Sequence, residues 1–251
     1  MAGHSHSSNI AARKGAVDKK RAKNFSKFSK ALMSAVRQGG PDADSNLKLK
    51  YAIEKARAGN MPKDTIERAI KKAAADKSGD AFEELTYEGY APGGIALIIA
   101  CLTDNRHRTA PDVKYIFDRN AGNLGAPGSV SFLFNFRSIA VVERGERSED
   151  EWVELGLEIG AEDVLVEKEL VTIVAPANDF LALKTALEAH GVKTISAETG
   201  YVPQSTVAIA DKEDARRVLK LIEALEDNED VQSVYANYEI PDEWIAELAG
   251  S

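Results

Sequence analysis

Arg13, Lys14, Lys19, Lys20, Arg21, Lys23, Lys27 and Lys30 crowd into one stretch, RKGAVDKKRAKNFSKFSKALMSAVR, running from Arg13 to Arg37. Cationic groups at this density are suited to neutralising phosphates, because each contact releases condensed counterions. At 3.6 residues per turn, Phe25, Phe28, Leu32 and Val36 line one face, and Lys19, Lys20, Lys23, Lys27 and Lys30 fall on the other. The stretch is therefore predicted to be a helix with a core side and a cationic side. A solvated lysine face is the common meaning of such a run, but here the charge is segregated. Residues 1–40 hold nine Lys or Arg against one Asp, whereas the whole chain carries a net charge of -8. Residues 1–77 carry 18 Lys or Arg and 7 Asp or Glu, and the remainder 14 and 33. A basic module on an acidic body favours a polyanion that is met by one end of the molecule.

A second polar group, Thr103-Asp104-Asn105-Arg106-His107-Arg108-Thr109, lies between a strand end and a helix start. Arg106 and Arg108 beside a helix N-terminus form a candidate secondary anion site, with a solvated connector as the equal alternative. Catalysis finds little support. Asp104 and His107 lack a nucleophile of defined geometry, and no paired carboxylates or metal motif stand nearby. The four histidines are scattered, and His4 and His6 have no Cys or His cluster to complete a metal site. Cys101 is the single cysteine and sits in the apolar run IALIIACLTD, where a buried structural thiol is expected. The glycines of Gly89-Tyr90-Ala91-Pro92-Gly93-Gly94 open into a strand rather than a helix, so they read as a turn and not as a phosphate loop. No metal, cofactor or catalytic residue is expected.

The elements that must position these groups follow from periodicity. A chain of 251 residues with 44% hydrophobic and 29% charged residues supports two or three domains. No apolar run reaches membrane-spanning length and the opening lacks a signal-peptide core, so a cytoplasmic protein with no membrane partner is expected. Gly39-Gly40-Pro41 ends the basic helix. Asp44 or Ser45 is placed to cap a second helix with the stripe Leu49, Ala52, Ile53 and Ala56. A third helix follows Pro62 with Ile66, Ala69, Ile70 and Ala73 inward, and the linker Lys77-Ser78-Gly79-Asp80 closes the bundle.

Ile95 to Leu102 then reads as a buried strand and Thr109-Ala110-Pro111 as a capped helix start. The alternation Val130, Phe132, Phe134, Phe136 reads as a half-buried strand over 129–136. Strand 139–143, helix 149–159, strands near 163–167 and 170–175, helix 177–189 and strand 193–203 spell βαββαβ, a ferredoxin-like order. A strand at 205–210, a helix at 212–226 and a strand at 231–238 need a partner, which the unit at 95–136 supplies. Trp152 and Trp244 fall in amphipathic helices as packing residues. The expected fold is α+β, with a basic helical domain at 1–78 and a discontinuous α+β domain at 79–137 and 204–251. A second ferredoxin-like domain, 138–203, is inserted into it.

Several strings carry a resemblance: MAGHS...NI..RKGA.D.KR at the start, NMPKDTIERAIKK, YEGY.PGG followed by TDNR.RT, GNLG..GSVSF.F, and LIEALEDNEDVQSVYANYEI. Together, in register over residues 1–240, they resemble the YebC/PmpR family, which includes the mitochondrial translational activator of cytochrome c oxidase. The resemblance implies three domains, one helical and two α+β, and no enzymatic activity. It implies either a DNA-binding transcriptional regulator or a ribosome-associated factor that assists translation of difficult stretches. The chain departs from the family pattern where His6-Ser7 stands in place of Lys-Trp and Ala11-Ala12 in place of Lys-His. Two positive charges and one stacking aromatic are absent there, which weakens or relocates any contact.

The expected function is thus a non-enzymatic, nucleic-acid-binding regulator of gene expression. Ribosomal RNA, and with it the ribosome, is the preferred partner. The basic face is nearly all lysine, and lysine-phosphate contacts carry little sequence information. A DNA operator is usually read by a helix rich in base-reading side chains. A DNA-binding transcriptional regulator stays open as an alternative, as does a protein-interaction scaffold docking through the acidic body. A metal-dependent nucleic-acid hydrolase would need further acids converging on Asp104.

Overall fold

The computed structural model describes residues 17–75, 82–241 and 244, with side chains described from Asn24 onward. In chain order the helices are α1 Val17–Gly39, α2 Leu47–Ala58 and α3 Lys63–Ala75, followed by β1 Glu83–Ala91, β2 Ile95–Thr103, α4 Arg106–Arg119 and β3 Asn123–Leu124. Then come β4 Phe134–Glu143, α5 Glu149–Glu158, β5 Asp163–Val166, β6 Leu170–Pro176, α6 Phe180–Ala189 and β7 Thr194–Pro203. The chain finishes with β8 Val207–Ala208, α7 Lys212–Glu226, β9 Val231–Ala236 and β10 Tyr238–Glu239. Two compact units result: Val17–Ser131 with Ala210–Ala236, and Phe132–Ile209 with the segment from Asn237.

In the first unit, α1, α2 and α3 pack around Leu32, Ala35, Val36, Leu49, Ala56, Met61, Ile66 and Ala73, with Phe25 and Phe28 against them. This is the apolar side that helical spacing predicts. Gly40 adopts φ 86° and its N–H donates to the Val36 carbonyl at 2.7 Å, which closes α1. The cap of α2 is Asn46 rather than Asp44 or Ser45. Its Oδ1 accepts from Leu49 N, while Nδ2 donates to the Ala35 and Gly40 carbonyls, both at 2.8 Å. The amide accepts once from the new helix and donates twice to the end of the old one, whereas a carboxylate has no proton to give and a hydroxyl has only one. At Gly59 a Cβ would lie 2.2 Å from the Phe28 ring, so the turn after α2 requires glycine for that ring to pack.

The sheet of this unit has the order β3-β1-β2-β9, with antiparallel neighbours throughout. β1 was not anticipated from the sequence. Its segment, EELTYEGYA, is exposed at its start and buried only towards Ala91, so apolar alternation is faint, yet it pairs with β2 from Glu83↔Thr103 to Ala91↔Ile95. β2 is buried along nearly its whole length, which accounts for its unbroken apolar run. α4 starts at Arg106, three residues before the expected Thr109 cap, because Asn105 Oδ1 accepts from the N–H groups of His107 and Arg108.

The second unit runs β4, α5, β5, β6, α6, β7, and its sheet order β5-β6-β4-β7 is ferredoxin-like. β4 is one strand where the sequence suggested two, at 129–136 and 139–143. Residues Ser131–Leu133 form a 3-10 turn, and Phe134 begins the strand that pairs with both β6 and β7. The expected 205–210 strand shrinks to β8, which pairs in parallel with β10. α5 opens with a capping box between Ser148 and Glu151, and Trp152, 2% exposed, donates Nε1–H to the Arg144 carbonyl at 3.0 Å.

Candidate nucleic-acid interface

Helical spacing puts Lys27 and Lys30 on the cationic face of α1, and the structure turns both of them inward. Lys27 is 9% exposed and its Nζ donates to the Glu226 carbonyl at 2.5 Å. Lys30 Nζ donates to Asp230 Oδ1 at 2.9 Å and to the Glu229 carbonyl at 3.2 Å. Their partners sit at the α7–β9 corner, about two hundred residues further along the chain, where periodicity within α1 has no view of them. Lys55 of α2 reaches Ser233 Oγ at 3.1 Å, and Lys48 pairs with Glu84. Lysines thus fasten the helical bundle to the sheet of its own unit.

The corner is built around Asp230, which is 3% exposed. Oδ1 accepts from Lys30, Oδ2 accepts from Thr109 Oγ1 at 2.9 Å, and Arg108 Nη2 spans the two oxygens at 3.2 and 2.9 Å. Its backbone is held as well, since its carbonyl accepts from Leu102 N and its N–H donates to Asn228 Oδ1. Burial opposes ionisation of this carboxyl, but the hydrogen bonds from Lys30, Arg108 and Thr109 outweigh it and hold the group below the usual aspartate range. Arg108 also pairs with Asp104 at 2.9 Å. Of the two arginines proposed for a secondary anion site, Arg108 is therefore committed to carboxylates, and Arg106 is exposed.

Lys19, Lys20, Arg21 and Lys23 stand on the N-terminal half of α1, with side chains outside those described; Arg13, Lys14, His4 and His6 also lie outside the described residues. Elsewhere in this unit, Lys50, Lys71, Lys72 and Arg106 are exposed, and their side chains make no ion pair or hydrogen bond with the described residues. Lys71 and Lys72 fall on α3 away from Ile66 and Ala73, a placement readable from the helical wheel once charge as well as apolarity is plotted. Among the described residues no group of three or more His, Cys, Asp or Glu is placed to hold a metal, and no helix is long and apolar enough to cross a membrane.

Two further buried groups are structural. Glu88 of β1 accepts from the N–H groups of Val130 at 2.7 Å, Gly128 at 2.8 Å and Ser131 at 2.9 Å. Burial opposes its charge and these N–H donors prevail, so its carboxyl is lowered. The contact links the strings YEGY and GSVSF, which are about forty residues apart. Cys101 is buried, and burial, with the charge of Asp230 added, pushes its thiol up to about 12.

Residues 5–76 match the model of the TACO1/YebC protein N-terminal domain, and residues 82–238 that of the TACO1/YebC second and third domain. The chain belongs to the TACO1/YebC family. A relative from Halothermothrix orenii is 46% identical over 250 residues, covering 99% of each chain, and is called a probable transcriptional regulatory protein. A relative from Treponema pallidum of the same description is 46% identical over 98% of this chain and 100% of its own. Among solved structures, a conserved hypothetical protein from Aquifex aeolicus superposes with a TM-score of 0.80 at 46% identity, covering 90% of this chain and 93% of that one.

Proposed function

We propose that the protein is a non-catalytic regulator of gene expression that binds structured RNA, with ribosomal RNA as the target, through its basic helical module. One observation carries the reading: residues 1–77 bear an excess of 11 positive charges, while the remainder bears an excess of 19 negative ones. An RNA phosphate backbone is attracted at that end and repelled elsewhere, so charge orients the encounter as well as strengthening it. Arg13, Lys14, Lys19, Lys20, Arg21 and Lys23 are assigned to phosphates, with Lys50, Lys71, Lys72 and Arg106 extending the surface. Lys27, Lys30 and Arg108 are assigned instead to holding the unit together. The predominance of lysine suits phosphate tracking and shape recognition rather than base reading in a DNA groove. A DNA-binding transcriptional regulator is the second reading, favoured by the description of the relatives. Crosslinking in cells followed by sequencing of both RNA and DNA separates them. Reads concentrated on ribosomal RNA are expected, and reads concentrated at a few promoter sites would overturn the assignment.

A further inference from the structure

The helix α5 buries Trp152, Leu155 and Gly156 on its inner side, yet on the opposite side Leu157 is 74% exposed and Val153 42%. Val153 and Leu157 stand one turn apart and form an apolar ridge, and Asp150, Glu154 and Glu158 form an acidic ridge beside it at the same spacing. Helix stability accounts for part of this charge. Glu151 makes the capping box with Ser148, and Glu149 and Asp150 in the first turn complement the helix dipole. It does not account for Glu158, which stands in the last turn, where the dipole disfavours an anion. The Glu158 side chain is 67% exposed and pairs with His190 Nε2 at 3.6 Å. Exposed acids of other helices pair along their own helix: Glu67 with Lys63, Asp118 with Lys114, Glu188 with Lys184 and Glu213 with Arg216. By contrast, α5 contains no Lys or Arg, and the carboxylates of Glu149, Asp150 and Glu154 make no ion pair with the described residues.

We infer that this face of α5 docks a cationic amphipathic segment of a partner protein, with apolar side chains against Val153 and Leu157 and lysines or arginines along the acidic ridge. Charge complementarity decides the class of partner. Unpaired carboxylates repel the phosphates of nucleic acids and of anionic membranes and attract ammonium and guanidinium groups. The apolar ridge favours a partner that carries an apolar stripe as well, which a purely polar cationic tail lacks. Size decides its extent. A helix of 10 residues is about 15 Å long and about 10 Å wide, and one face of it falls far short of the roughly 800 Å² per side that a stable dimer buries. A short segment fits, and a second copy does not. The helical bundle of a second copy has, among its described residues, the single exposed large apolar side chain Leu47 to set against Val153 and Leu157. The inference stands apart from the RNA reading, because α5 belongs to the acidic body and not to the basic module.

The test titrates isotope-labelled full-length protein with a fifteen-residue helical peptide in which leucines one turn apart are flanked by lysines. A leucine-free peptide of the same charge and length is the control. Amide shifts centred on α5 are expected with the leucine peptide, and the control is expected to bind about tenfold more weakly. Leu157→Gln keeps side-chain size and helix propensity, so it is expected to weaken the leucine peptide by about tenfold with thermal midpoint and RNA affinity unchanged. Glu154→Gln with Glu158→Gln is expected to flatten the salt dependence of peptide binding. Equal binding of the two peptides, shifts centred outside α5, unchanged affinity in Leu157→Gln, or wild type that binds neither peptide each overturn the docking face and leave the RNA reading standing. Loss of RNA affinity in Leu157→Gln overturns it in favour of a nucleic-acid contact. A wild-type dimer in sedimentation that Leu157→Gln dissociates overturns it in favour of a second copy.

Discussion

Replacing Asp230 with Ala removes the acceptor shared by Lys30, Arg108 and Thr109. The three donors are not equally harmed. Arg108 has a side chain 48% exposed and keeps Asp104, so water and that second carboxylate absorb its loss. Thr109 is fully buried but has the Asn105 carbonyl at 3.1 Å as another acceptor. Lys30, with a side chain 18% exposed, retains the Glu229 carbonyl alone among the described residues and bears most of the penalty. Breaking one side of a fully buried ion pair costs about 3–5 kcal/mol, and these residual partners bring the expected loss down to roughly 2–3 kcal/mol.

Both tryptophans lie in the other unit, so urea unfolding should be followed by far-UV circular dichroism and by hydrogen exchange along α1. Lys30→Met should be no worse than Asp230→Ala, and the double variant should fall short of the sum by about 1–3 kcal/mol. Because the Asp230 carboxyl is depressed, its contribution is complete above the ordinary aspartate value of 3.8 and is lost as pH falls through the lowered one. Wild type and Asp230→Asn should therefore converge in stability below that range and diverge above it. Additive effects, or a stability gap that does not close in acid, would refute the hub.

Lys27→Gln with Lys30→Gln should lower stability but leave the slope of log affinity against log salt for RNA unchanged. Lys19→Gln with Lys23→Gln should shrink that slope by roughly 0.7–0.9 for each lost phosphate contact; a salt titration that reverses the two pairs would return Lys27 and Lys30 to the binding face. Cys101, with its thiol pushed up to about 12, should resist alkylation in the native protein at pH 8 and react on unfolding in urea, as mass spectrometry of the labelled protein would show.

Much of this architecture is local and so lies open in the chain. The stripes Leu49, Ala52, Ile53, Ala56 and Ile66, Ala69, Ile70, Ala73 identify two helices of the bundle, and Gly39-Gly40 ends the first, because side-chain periodicity and backbone freedom act within a few residues. The βαββαβ order from β4 to β7 is legible for the same reason. Charge segregation is a property of composition and needs no fold. Partner choice is different. Lys27 and Lys30 look the same as Lys19 and Lys23 along the chain, and only folding sets Asp230 and the Glu226 carbonyl against the first pair. Phe132 and Phe134 look alike in the alternation, yet a 3-10 turn exposes one while the strand buries the other. A side chain's periodicity assigns it a face of its own element, whereas what covers that face is decided by contacts closed across large sequence separations, which only the tertiary structure specifies.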